Sequence, residues 1–189
     1  MDASLVVLFL SAVKLVAQSD MGYVPVPLHG ASQSSTKGES TASLAIDKNP
    51  STSSETECSF NTTLWFRVHF SAPYCVKEVR LKASSKHPHL NWGMQHTDLS
   101  VKNTKTGLKS KCGELEVKEG QLDYTVKCTG EVCGDMLELE VHHTQPKYSY
   151  EGCIRLGEIE VYSGECPGLA VLVGEECAAP GLVLRYYKY

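Results

Sequence analysis

Between Leu64 and Phe70 the chain alternates strictly. Leu64, Phe66, Val68 and Phe70 fall on one face of an extended strand, and Trp65, Arg67 and His69 fall on the other. Stretches at Cys75–Lys82, Thr97–Asn103, Leu122–Lys127, Met136–His142 and Ile154–Tyr162 are strand-like in the same way, with turn residues between them. No stretch carries a convincing 3.6-residue period, so the pattern predicts an all-β domain, a sandwich or jelly roll. Asp20 to Gly30, with Pro25 and Pro27, reads as an extended lead-in. Ser32 to Thr56 is rich in serine and threonine, a composition shared with disordered segments. Its apolar centre, Leu44-Ala45-Ile46, argues instead for long ordered loops above a sheet. There is no internal repeat.

The first residues follow a different pattern. Leu5 to Leu10 is an unbroken apolar run, extended by Ala12, Val13, Leu15, Val16 and Ala17 and interrupted by Lys14. It is too short to span a bilayer and predicts a signal peptide over residues 1–19, cut after Ser19, although Asp2 departs from the usual basic start. The eight cysteines, at 58, 75, 112, 128, 133, 153, 166 and 177, all lie downstream and include no CxxC pair. Disulfides in an oxidising compartment therefore fit better than a zinc cluster, and the expected location is extracellular. The spacing alone leaves all 105 pairings of eight cysteines open.

Composition narrows the function classes. With 189 residues, 42% hydrophobic and 21% charged, the chain can build one core. Its net charge of −4 gives no reason to expect nucleic acid or an anionic membrane as partner. No GxGxxG, P-loop, GxSxG or HExxH opens an enzyme argument, and no catalytic residue is assigned. His142 and His143 are adjacent on a strand and point to opposite faces. Glu138 and Glu140 share a face and read as a solvated edge rather than a glycosidase dyad. Asn61-Thr62-Thr63 is an N-glycosylation sequon, placing Asn61 on a surface loop.

Several pieces, in order, resemble the F-type lectins (fucolectins). They are Ala31-Ser32-Gln33-Ser34-Ser35-Thr36, Ala45-Ile46-Asp47-Lys48-Asn49, Cys58-Ser59, Leu64-Trp65-Phe66-Arg67-Val68-His69-Phe70 and Gly157-Glu158-Ile159-Glu160-Val161-Tyr162. The resemblance covers about residues 30–163 and implies a discoidin-like jelly-roll β-sandwich. It also implies a structural Ca²⁺ with Asp47 and Glu158 as side-chain ligands and Leu44, Asn49 and Gly157 giving backbone oxygens. Glu57 falls where the family has a serine. An all-oxygen set drawn from two distant loops suits calcium better than a transition metal. The family's bridges imply Cys112–Cys128, flanking an apparent hairpin, and, with a shift of position, Cys58–Cys153; Cys75–Cys133 is assigned alongside them.

The fucose site implied by the family is altered here. Its histidine position holds Phe60, its first arginine falls at Lys86 or His87, and its Arg-Gly-Asp is missing. Lysine does not reproduce the planar guanidinium fork. What remains is Lys86-His87-Pro88-His89-Leu90-Asn91-Trp92, in which an exposed Trp92 would stack on a sugar face while Lys86 and His87 donate hydrogen bonds. Packing of Trp92 into the core is the equal alternative. A glycan on Asn61 would crowd this rim. After Gly164 the tail, residues 164–189, resembles the opening of an EGF-like module, with Cys166 and Cys177 as a local pair; a bare disulfide-closed tail is the plainer reading. The expected function is extracellular recognition of a glycan or cell-surface glycoprotein, without membrane insertion. The alternative is a protein-recognition ectodomain that has lost sugar binding.

Overall fold

The computed structural model describes residues 23–59, 62–84, 93–141 and 152–164, together with the backbone of 171–173 and 176–178. The strands are β1 (Val24–Pro25), β2 (Leu28–Gln33), β3 (Ser54–Glu55), β4 (Leu64–Ala83), β5 (Thr97–Lys102), β6 (Lys109–Leu115), β7 (Asp123–Val141) and β8 (Arg155–Ser163). A 3-10 helix, Ala42–Ala45, lies between β2 and β3, and a short tail hairpin follows, β9 (Val171–Val173) with β10 (Glu176–Ala178). All pairings are antiparallel, and the main sheet runs β1-β8-β4-β7-β5-β6, with β2 on β4 and β3 on β8.

The two long strands make the sandwich. The first half of β4 pairs with β2 and with the second half of β7, from Leu64 opposite Val141 to His69 opposite Met136. The second half pairs with the first half of β7 and with β8, from Val76 opposite Ser163 to Ala83 opposite Leu156. Between His69 and Tyr74 the β4–β7 ladder shifts register, and Pro73, which has no N–H to donate, sits inside that break. Gly134 lies opposite Tyr74 at the same corner, where an added Cβ would come within 2.3 Å of the Lys102 carbonyl oxygen. Both strands thus turn a corner and pass from one layer to the other. The expected strands Leu64–Phe70 and Cys75–Lys82 are two parts of β4. Those expected at Leu122–Lys127 and Met136–His142 fall, from Asp123 and as far as Val141, in the two halves of β7, with His142 outside the described residues.

Alternation decides which side chains fill the space between the layers. Leu64, Phe66, Val68 and Phe70 are buried, whereas Trp65, Arg67 and His69 are half-buried on the outer face. Val76, Val79 and Leu81 from the second half of β4 meet Leu137, Leu139, Val141, Leu99, Val101, Ile159 and Val161 in one core. Each fully buried aliphatic or aromatic side chain contributes roughly 1.5–3 kcal/mol.

Three disulfides lie among the described residues: Cys58–Cys153, Cys75–Cys133, which joins direct ladder partners on β4 and β7, and Cys112–Cys128. The last does not close a hairpin. Its cysteines stand on β6 and β7, and the ladder partner of β6 is β5. Gly113 of β6 backs so closely on β7 that an added Cβ would meet Val126 Cγ1 at 2.7 Å. The bridge therefore joins strands that pack without sharing a ladder.

Candidate functional site

The serine- and threonine-rich segment after β2 is ordered by a few long-range hydrogen bonds. Gln33 Nε2 lies 3.0 Å from the Ser40 carbonyl oxygen and 3.1 Å from that of Glu55. Glu55 accepts from Lys37 Nζ at 2.8 Å and from the buried Arg155 Nε at 2.7 Å. Burial raises the Glu55 carboxyl, and the hydrogen bonds and charges of Lys37 and Arg155 outweigh that and hold it below its ordinary value. This clamp seats the loop on β8. The 3-10 helix buries Ala42 and Ala45 against the core and directs the chain into the turn that starts at Asp47.

That turn gathers oxygen atoms. Asp47 Oδ1 accepts the Asn49 N–H at 2.8 Å, and Lys48 between them takes a left-handed φ of 62°. Thr52 Oγ1 lies 3.0 Å from Asp47 Oδ1, 2.8 Å from Oδ2, 2.8 Å from the Asn49 carbonyl oxygen and 3.4 Å from that of Leu44. A hydroxyl has one proton to donate, so acceptors outnumber donors here. Glu158 of β8 faces the same place, and its Oε1 is buried with no hydrogen-bond partner among the described residues. Burial and the neighbouring Asp47 carboxylate push the Glu158 carboxyl up, while the Asn49 N–H and Thr52 lower that of Asp47 against a smaller opposing effect of burial. Two facing carboxylates, one of them with an orphaned buried oxygen, and two carbonyl oxygens are the donor set of a hard cation, and the residues present fit calcium.

Of the residues expected there, the fold brings Leu44, Asp47, Asn49 and Glu158 together. Gly157 is buried next to Glu158, where an added Cβ would approach the Ala83 carbonyl oxygen to 3.3 Å. Glu57 is exposed, and its backbone N–H donates to Ser35 Oγ at 3.0 Å. The sequence reading missed Thr52, whose signal is an oxygen-bearing side chain closing an Asp-x-Asn turn. Phe60, Asn61, Lys86, His87 and Trp92 lie outside the described residues, as do Cys166, the side chain of Cys177 and residues 1–19.

The acidic pair on β7 is not a solvated edge. Glu138 is 3% exposed and lies under two cations, Arg67 and Lys109, with Lys109 Nζ 2.6 Å from Glu138 Oε1; Lys109 also bonds Glu140. Arg67 in turn stacks on the Trp65 ring, 4.0 Å from its centroid. Strand register explains the cluster, because Trp65 stands opposite Glu140 and Arg67 opposite Glu138 on one face.

The sequence matches no family model and no curated protein. The three-dimensional structure does match solved ones. A family 32 carbohydrate-binding module from C. perfringens NanJ, in complex with galactose, superposes with a TM-score of 0.61 at 19% identity, over 75% of this chain and 100% of that one. The lectin domain of lectinolysin complexed with Lewis B antigen gives 0.57 at 20% identity, over 71% and 92%. A fucolectin from striped bass (Morone saxatilis) serum gives 0.58 at 17% identity over 76% of this chain, which spans 50% of that protein. The fold is the discoidin-like jelly roll that these carbohydrate-binding and F-type lectin domains share.

Proposed function

We propose that this chain is an extracellular recognition module that binds a glycan other than free fucose, using loops at one end of the sandwich that a structural calcium ion holds in place. The observation that carries this reading is the convergence of Asp47, Glu158 and the Leu44 and Asn49 carbonyl oxygens, with one buried carboxylate oxygen left without a partner. Calcium, when bound, supplies the positive charge that two facing carboxylates lack. Asp47, Glu158, Leu44 and Asn49 would hold it, with Gly157 adding a backbone oxygen. The relatives in fold include modules solved with galactose and with Lewis antigen, which supports a glycan as ligand. Three disulfides among the described residues support an oxidising compartment.

Phe60 in place of the family histidine, and Lys86 or His87 in place of an arginine, argue against fucose. A glycan array probed in calcium and again in EGTA tests the reading. Binding to a defined glycan in calcium, lost in EGTA, is the expected result. No glycan bound in either condition would sink the lectin reading and favour the protein-recognition ectodomain.

A further inference from the structure

The outer face of the half-sheet made by β8, β4 and β7 carries two cross-strand rows. Glu160, Arg80 and Thr125 form one, and Glu158, Lys82 and Asp123 form the next. Cross-strand neighbours on one face stand about 4.5–5.5 Å apart at Cβ, so these six side chains make one continuous patch of donors and acceptors. A groove of about 280 Å³ opens on the patch, and Pro50, from the turn that contains Asp47 and Thr52, lines it. Arg80 is held rather than loose. Its Nε donates to buried Glu78 at 2.7 Å, and its guanidinium lies 4.2 Å over the Tyr162 ring, whose hydroxyl donates to Glu160 Oε2 at 2.6 Å. A preorganised donor fork of this kind loses little entropy when it engages a ligand.

Chemistry narrows what fits. Arg80 and Lys82 offer donors, Glu160 and Asp123 accept, and the Thr125 hydroxyl does either. Each vicinal hydroxyl pair of a sugar needs both kinds of partner. Two cations against three carboxylates leave no positive surplus for an acidic sugar, and the volume suits one ring. We propose that this groove binds a single neutral pyranose residue of a glycan through vicinal hydroxyls. Arg80 and Lys82 act as donors, Glu160 and Asp123 as acceptors, and the cation loop forms one wall. The proposal rests on the glycan-recognition reading and places a site on the sheet face that calls on neither Phe60 nor Trp92. It also makes binding depend on calcium twice over, because Glu158 belongs to both the groove and the cation cluster, and Pro50 follows Asp47 in the same turn.

The test is an amide-shift NMR titration of the full chain with D-galactose and with N-acetyl-D-galactosamine, in calcium. The expected result is saturable shifts at Arg80, Lys82, Asp123 and Thr125, at least tenfold weaker binding in Arg80→Ala and in Asp123→Asn, and weaker binding in EGTA. Asp123 is exposed, so Asp123→Asn keeps the test sound where Arg80→Ala unfolds. Saturable shifts confined to residues outside the groove would overturn this site while leaving glycan recognition standing. No saturable shift with either sugar would overturn it as well, and the glycan array would then decide the broader reading by itself. Preferential binding of N-acetylneuraminic acid would overturn the assignment of a neutral ligand.

Discussion

Glu158 and Asp47, on segments at opposite ends of the domain's sequence, face each other, and burial together with the Asp47 charge raises the carboxyl of Glu158. Like charges placed this way cost stability unless a cation or a proton lies between them. Calcium at about 100 times its dissociation constant would add about 2.7 kcal/mol to the native state. Asp47→Ala should abolish the calcium-dependent rise in Tm and leave the melt in EGTA nearly unchanged. Glu158→Gln should lose the calcium effect too, yet melt slightly higher than wild type in EGTA, because it removes the repulsion. Equal melting of the wild type with and without calcium would show that the site does not bind it.

Glu138 sets an acid limit. Burial raises its carboxyl, but Lys109 and Arg67 outweigh that and lower it below the ordinary glutamate value. A lowered carboxylate contributes stability that is complete above its unfolded pKa and is lost as pH falls through the folded one. Wild-type stability should therefore decline on acidification through this range, and Glu138→Gln should show a shallower decline. At neutral pH Glu138→Gln should cost about 3 kcal/mol or less, since Arg67 and Lys109 each keep about a third of their side-chain surface in water. Urea melts at several pH values measure both; parallel pH profiles of the two proteins would refute the linkage.

The Cys112–Cys128 bridge closes a loop of 16 residues in sequence separation, for which the chain-entropy model gives about 3 kcal/mol. The double replacement Cys112→Ser with Cys128→Ser should lower stability by roughly that amount. Non-reducing peptide mapping should recover Cys112 with Cys128, Cys58 with Cys153 and Cys75 with Cys133. A peptide joining Cys112 to any other cysteine would contradict the structure.

Free L-fucose should bind poorly or not at all to the deglycosylated protein in calcium. Phe60 has no hydrogen bond to offer, and each sugar hydroxyl left unpaired against it costs on the order of 1–3 kcal/mol. If a ligand engages the loop after β4, Trp92→Ala and Lys86→Ala should weaken it most, by loss of stacking and of a charged donor. Calorimetric titration checks both. Millimolar or tighter fucose binding, unaffected by Trp92→Ala, would refute them together.

Much of the fold was legible before any coordinates. The alternation at Leu64–Phe70 identifies the inward face because a strand's side chains alternate, and that face is buried as expected. β2 and β6 were not legible as strands. Leu28–Gln33 carries small and polar side chains, and Lys109–Leu115 buries only Cys112 and Leu115, so neither shows a full apolar stripe. Glu138 misled for the opposite reason: period two places it on an outer face, and only the neighbouring strands reveal the two cations that cover it.

By itself the sequence determined the all-β class and the inward face of the central strand, because strand periodicity is a local property, whereas Asp47 and Glu158 were paired only through the family resemblance. Tertiary structure decided the rest. It folded β4 and β7 through the corner at Pro73 and Gly134, so that segments that read as four strands became two. It brought β8 beside the turn after the 3-10 helix, which gives Glu158 and Thr52 a common partner in Asp47. It set Arg80, Lys82, Asp123 and Glu160 side by side through the register of three strands. These are contacts between residues distant along the chain. No local pattern encodes them, because they arise only when the two layers close over a shared core.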